Sequence, residues 1–179
     1  MKIMIVDDSE DIDLLIQSIL QSAGYDDLVI AKSAYEAFNI LGIDEHGMEN
    51  NKGENSKYTT QKREEQHDVD LILMDIAMPG IDGIEACQII HTSEKYSETP
   101  IIIVTARHED DDLETAFYAG ALYYVTKPLR RSELLARVHS SLRLKQEVDR
   151  CKAHKEELAN AKREIKKLRA MLQDKTNGK

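Results

Sequence analysis

Five short apolar runs recur along the chain, at residues 2–6, 28–31, 71–74, 101–104 and 122–125, each bounded by residues that favour turns. They are aliphatic almost throughout rather than alternating, the pattern of a strand covered on both faces. Between them the apolar period changes. Ile12, Leu15, Ile16 and Ile19 repeat at helical spacing, and Gly24 stands where a helix would end on a left-handed residue. Ser33 predicts the N-cap of a second helix reaching Leu41, Asp82 with Glu85 a capping box for a third, and Ser132 the cap of a fifth. The acids from Glu109 to Asp112 suit the first turn of a fourth, where the helix dipole favours negative charge. Five strand–helix units of this kind predict an α/β fold, a doubly wound parallel sheet with function at the carboxyl ends of its strands.

Two stretches break the rhythm. Residues 44–68 contain no Ile, Leu or Val, and they exceed the roughly 2 to 6 residues usual for such a connection. A segment so polar cannot bury itself and is expected to be a flexible insertion between helix two and strand three. Its His46 and His67 read as solvated loop histidines rather than metal ligands. The second departure is the tail, which has neither Gly nor Pro between Ser132 and Leu172. Leu144, Cys151, Leu158, Ile165 and Leu172 recur at heptad spacing as a coiled-coil d series. The matching a positions are Val148, Lys155, Lys162 and Arg169, so the seam is weak, and Ala161 with Leu168 offers a competing stripe. The expected organisation is a globular domain over 1–140, a helical coiled-coil linker or dimerisation helix over 141–175 that favours a parallel homodimer, and a disordered tail at 176–179.

Composition narrows the class. A chain of 179 residues suits one domain of common size with an appendage, and 41% hydrophobic residues without Trp describe a soluble protein with an aliphatic core. No run approaches the roughly 20 apolar residues that span a bilayer, and Asp7 and Asp8 interrupt the start before a signal-peptide core could form. The expected address is cytoplasmic, without membrane insertion. Cys87 and Cys151 lie far apart with no ligand-like spacing, which argues against a disulfide or a zinc site. The net charge of −9 is uneven: residues 143–175 carry 11 basic and 6 acidic residues, so the rest is strongly acidic. That balance disfavours direct nucleic-acid binding by the globular part, and acids interrupt the basic tail too often for a nucleic-acid arm.

The candidate chemistry lies where strands end. Asp7 and Asp8 follow the first, Asp75 the third, Thr105 the fourth and Lys127 the fifth. A single such acid is ordinarily a cap or a loop residue, but five polar residues at one edge of a parallel sheet converge. Three carboxylates drawn together repel by roughly 3 kcal/mol per pair at about 5 Å and an effective dielectric near 20. A hard divalent cation offsets this, and Mg²⁺ commonly combines carboxylates, waters and phosphate oxygens in one octahedron. A cation, an ammonium and a hydroxyl around one carboxylate suit in-line phosphoryl transfer with Asp75 as nucleophile.

In order along the chain, Val6-Asp7-Asp8, the run from Leu73 through Asp75 to Gly83, Val104-Thr105-Ala106 and Lys127-Pro128 resemble the signature of the receiver (response regulator) domain of two-component signalling systems. The resemblance covers roughly residues 1 to 140. It implies a flavodoxin-like five-stranded sheet of order 2-1-3-4-5, the order the family shares with other doubly wound proteins. It also implies phosphoryl acceptance on Asp75 from a sensor histidine kinase or phosphotransfer protein. Asp8, Asp75 and the backbone carbonyl of Ala77 would hold Mg²⁺ directly, Asp7 would act through water, and Lys127 would contact the phosphoryl group. Thr105 and Tyr124 match the family's switch pair, and the Lys127–Pro128 bond is expected to be cis.

The chain departs from the pattern in its long polar insertion. Ala77 and Arg107 occupy positions that vary in the family and tune phosphoryl lifetime. The tail resembles linkers that lead from receivers to diguanylate cyclase or phosphatase output domains. Two rival readings remain: an Asp-nucleophile phosphatase, which would need an acid where Ala77 stands, and a vestigial receiver acting as a dimeric scaffold. The expectation is a phosphoryl acceptor rather than an enzyme that turns over a free substrate.

Overall fold

The computed structural model describes residues 1–43, 68–106 and 110–177, without the side chains of residues 110, 111 and 168–177. Most of the expected insertion, with His46 and His67, lies outside the described residues, as do Arg107, Glu109 and the last two positions of the expected tail. The chain order is β1 (Ile3–Val6), α1 (Glu10–Gln21), β2 (Leu28–Ala31), α2 (Ala34–Leu41), β3 (Leu71–Met74), α3 (Gly83–Thr92), β4 (Ile101–Thr105), α4 (Asp110–Tyr118), β5 (Tyr123–Thr126) and α5 (Arg131–Asn177).

The five strands form one sheet in the order β2-β1-β3-β4-β5, with every pair parallel. Alternate residues of the strands feed two cores. Met4, Val6, Ile72, Met74, Ile101 and Ile103 meet Phe38 and Leu41 of α2 and Cys87 and Ile90 of α3. On the other face Ile5, Leu73, Ile102 and Val125 meet Ile16 and Leu20 of α1 and Leu134, Val138 and Leu142 of α5. The central strands β1, β3 and β4 are almost wholly apolar because both faces are covered, while β5 at the edge, Tyr-Tyr-Val-Thr, is only partly buried, and each fully buried Leu or Ile contributes about 1.5–3 kcal/mol. Strands β1 and β3 are neighbours, and between them the winding of the sheet reverses, the switch point at whose carboxyl end doubly wound sheets place their ligands.

Local signals explain most element ends. The hydroxyl oxygen of Ser33 accepts from the Glu36 amide at 3.2 Å, and the Asp82 carboxylate accepts from the amides of Ile84 and Glu85 at 3.0 and 2.8 Å. At the end of α1 the Tyr25 amide donates to Leu20 O at 3.1 Å and the Gly24 amide to Gln21 O at 2.9 Å, with Gly24 at φ +85°. This is the paired closure that favours glycine at the left-handed position. Ser132 does not cap α5. That helix begins at Arg131, so Ser132 falls inside its first turn, where the Leu134 amide donates to Arg130 O at 3.0 Å.

The chain divides into two compact units, Met1–Leu142 and Arg143–Lys179. Within the second, Lys145 pairs with Asp149 at 2.6 Å and Arg150 with Glu147 at 3.1 Å along the helix surface. Leu144, Leu158 and Ile165 are about half exposed, Cys151 is exposed and Val148 is partly exposed. The side chain of Leu172 lies outside the described residues. No described helix is long and apolar enough to cross a membrane.

Candidate functional site at the carboxyl edge of the sheet

β1 ends at Val6 and β3 at Met74, and these two residues are register partners. The next residues, Asp7 and Asp75, therefore leave neighbouring strands side by side. The Asp75 amide donates to Val6 O at 2.9 Å and the Asp7 amide to Ala31 O at 3.2 Å, which fixes both backbones at the sheet edge. Asp8 follows directly, and Asp7, Asp8 and Asp75 each offer a carboxylate oxygen within 4.8 Å of the others. Asp7 and Asp75 are buried, whereas Asp8 is exposed.

Lys127 comes in from the end of β5. Its backbone amide donates to Thr105 O at 2.8 Å, and the Lys127–Pro128 peptide bond is cis. Its Nζ donates to Asp7 Oδ2 at 2.8 Å and lies 3.3 Å from Asp75 Oδ1. The second contact is an ion pair, the longer of the two, and the Asp75 Oδ1 that it meets is buried. The other Asp7 oxygen accepts from the Ser9 amide at 2.9 Å. Burial pushes the Asp75 carboxyl above the usual carboxylate range; the charge of Lys127 opposes this and the charge of Asp7 adds to it.

The loop after Asp75 is shaped by Gly83. A Cβ there would stand 1.9 Å from the Asp75 carbonyl oxygen, so the first turn of α3 can press on the Asp75 backbone only because position 83 is glycine. The Gly83 amide donates to Ile76 O at 3.0 Å and closes the loop. Ala77 is exposed within it. Thr105 is fully buried at the carboxyl end of β4, and Tyr124 lies partly buried on β5 opposite Ile103, packed on the α2–α3 side core. The structure thus brings Asp7, Asp8, Asp75 and Lys127 into one cluster and sets Thr105 at the same edge. Tyr124 sits further down β5, and the heptad residues belong to the second unit.

One residue escaped the sequence reading. Asp13, on the inward face of α1, is buried and paired with Lys32. Its signal was an acid at helical spacing from Ile16 and Leu20, in the middle of an apolar stripe.

The fold of the chain has counterparts among solved structures. It matches a CheY-like response regulator receiver domain from Methanospirillum hungatei with a TM-score of 0.63 at 24% identity, over 82% of this chain and 96% of that one. A putative response regulator from Chloroflexus aurantiacus aligns with a TM-score of 0.62 at 26% identity, over 79% of this chain and 96% of that one. The model of the response regulator receiver domain family matches residues 3–139, and the chain belongs to that family. It is 34% identical over 141 residues to the transcriptional regulatory protein YvrH of Bacillus subtilis, covering 79% of this chain and 48% of the relative. It is 32% identical over 142 residues to the alkaline phosphatase synthesis transcriptional regulatory protein PhoP of the same organism, covering 79% and 48%. The chain spans about half the length of these curated relatives.

Proposed function

We propose that the chain accepts a phosphoryl group on Asp75 in a magnesium-dependent reaction. It then passes the change through its C-terminal helix to an output domain or partner. The observation that carries this reading is a single ammonium, that of Lys127, held between Asp7 and Asp75 beside a third carboxylate. Fully ionised carboxylates at this separation repel by about 3.5 kcal/mol per pair at an effective dielectric of 20, and one ammonium does not neutralise three of them. The buried Asp75 Oδ1, met only by the Lys127 ammonium, and the oxygen-only donor set both fit a hard divalent cation. Asp8, Asp75 and the carbonyl of Ala77 would hold Mg²⁺, with Asp7 acting through water. When bound, the ion supplies charge neutralisation for the phosphoryl oxygens.

The protein's own residues do the remainder. An Asp75 carboxylate oxygen attacks phosphorus, the bond between phosphorus and the donor's imidazole nitrogen breaks, and an acyl phosphate forms. Lys127, already within reach of Asp75, neutralises the added charge, and the Thr105 hydroxyl turns to a phosphoryl oxygen as Tyr124 moves inward. New charge-assisted bonds of this kind are the source of differential stability for the switch. The donor is a sensor histidine kinase or a phosphotransfer protein, in the cytoplasm. Ala77 offers no acid–base group, which favours acceptance over turnover of a free substrate. The heptad residues Leu144, Val148, Cys151, Leu158, Ile165 and Leu172 are the proposed seam of a parallel homodimer. The similarity to transcriptional regulatory proteins supports an output of gene control, exerted by a partner or by a domain beyond this chain.

Intact mass spectrometry after incubation with acetyl phosphate and Mg²⁺ tests the reading. One adduct of about 80 Da is expected, as phosphate esterification requires, and none with Asp75→Ala or with EDTA. An unmodified wild-type chain under these conditions would refute it.

A further inference from the structure

Asp13 is the acid that the pocket leaves unused. It lies in the first turn of α1, 2% exposed, with Ile16 and Leu20 on the same inward face. One of its oxygens accepts from Lys32 Nζ, while Oδ1 is buried and accepts no hydrogen bond. A buried carboxylate is costly unless it is paired, and burial pushes this carboxyl above its ordinary range against the pull of Lys32.

The sheet places the partner. Val6 and Ala31 are register partners, so Lys32 leaves β2 beside the point where Asp7 leaves β1. The Asp7 amide donates to Ala31 O at 3.2 Å, the Ser9 amide to Asp7 Oδ1 at 2.9 Å, and the Asp13 amide to Ser9 O at 3.1 Å. The connection that carries Asp7 and Asp8 is thus tied to β2 at its start and capped at Ser9. The Lys32–Asp13 bond bridges it from the end of β2 to the first turn of α1. Lys32 is itself anchored, its amide donating to Glu36 Oε2 at 2.7 Å.

We infer that Asp13 and Lys32 form a clamp that positions Asp7 and Asp8 for cation binding, a role that rests on the magnesium-dependent reading above. Both are positioning residues, since Asp13 is not among the three clustered carboxylates. The clamp can be separated from simple electrostatics by the sign of one effect. Removing the Lys32 ammonium makes the pocket's surroundings no more positive, so charge acting through space would leave cation binding unchanged or tighter. Loss of the clamp loosens the connection and weakens binding.

The experiment is calorimetric Mg²⁺ titration of the full chain at constant ionic strength, with thermal unfolding followed in parallel. Lys32→Met is expected to weaken Mg²⁺ binding about fivefold, while Lys32→Arg stays within about twofold of wild type. Asp13→Asn/Lys32→Met is expected to be about as weak as Lys32→Met, because residues in one interaction are not additive. The double variant buries no unpaired charge, so it carries the comparison if Lys32→Met does not fold. Mg²⁺ binding as tight as wild type or tighter in Lys32→Met, or in the double variant, overturns the clamp even if unfolding temperature falls. A wild-type chain without Mg²⁺ affinity would instead remove the reading on which the clamp rests.

Discussion

Asp75 sits where its own charge is penalised. Its side chain is almost wholly removed from water, and burial raises its carboxyl above the ordinary value of 3.8 while Lys127 only partly opposes the rise. An acid raised on folding favours the fold fully below the unfolded value, and that contribution is lost as pH climbs through the raised one. In EDTA the wild-type chain is therefore expected to lose stability as pH rises above about 4. Asp75→Asn removes the loss and should be the more stable chain at neutral pH. Urea unfolding at pH 4 and pH 7.5 checks this: the gap between variant and wild type should widen at the higher pH, and a gap that narrows would contradict the assignment. The cysteines offer a second contrast. Burial pushes the Cys87 thiol up to about 12, whereas Cys151 is exposed. Alkylation of the folded chain at pH 8 should modify one thiol, Cys151, and Cys87 should react only after denaturation.

At the scale of elements, α3 and the end of β3 are built against each other. The first turn of α3 lies so close to the Asp75–Ile76 backbone that a single methyl at position 83 meets main-chain atoms, which cannot yield as a flexible side chain would. Gly83→Ala is expected to destabilise the domain by about 1–3 kcal/mol or more, the range for overpacking, and to slow formation of the acyl phosphate by displacing Asp75. Thermal unfolding and the rate of mass gain from acetyl phosphate measure the two effects. The strands were legible in the sequence because most are unbroken apolar runs such as 71–74, and the caps at Ser33 and Asp82 were legible because their side chains satisfy amides two or three residues on. Ser132 misled because Arg131 already has helical geometry and no local side chain marks that start. Asp7, Asp8, Asp75 and Lys127 could be gathered from strand ends alone. The Asp13–Lys32 pair could not, since it depends on the register between β1 and β2, which one sequence does not display.

For the whole molecule, the division after Leu142 leaves both cores and all four clustered residues within the first unit. A chain ended at Leu142 is expected to unfold cooperatively and to gain the same mass from acetyl phosphate as the full chain. Sedimentation equilibrium should find this shortened chain monomeric and the full chain dimeric at micromolar concentration, and a monomeric full chain would discount the heptad seam. The sheet has a further consequence through its chain order. Lys127 and the carboxylate it grips are 120 positions apart in sequence, and Asp75 lies between them. During synthesis the acids leave the ribosome well before the ammonium that steadies them. An unfinished polypeptide therefore presents these acids without their counter-charge, and the cluster is complete only when the last strand has docked.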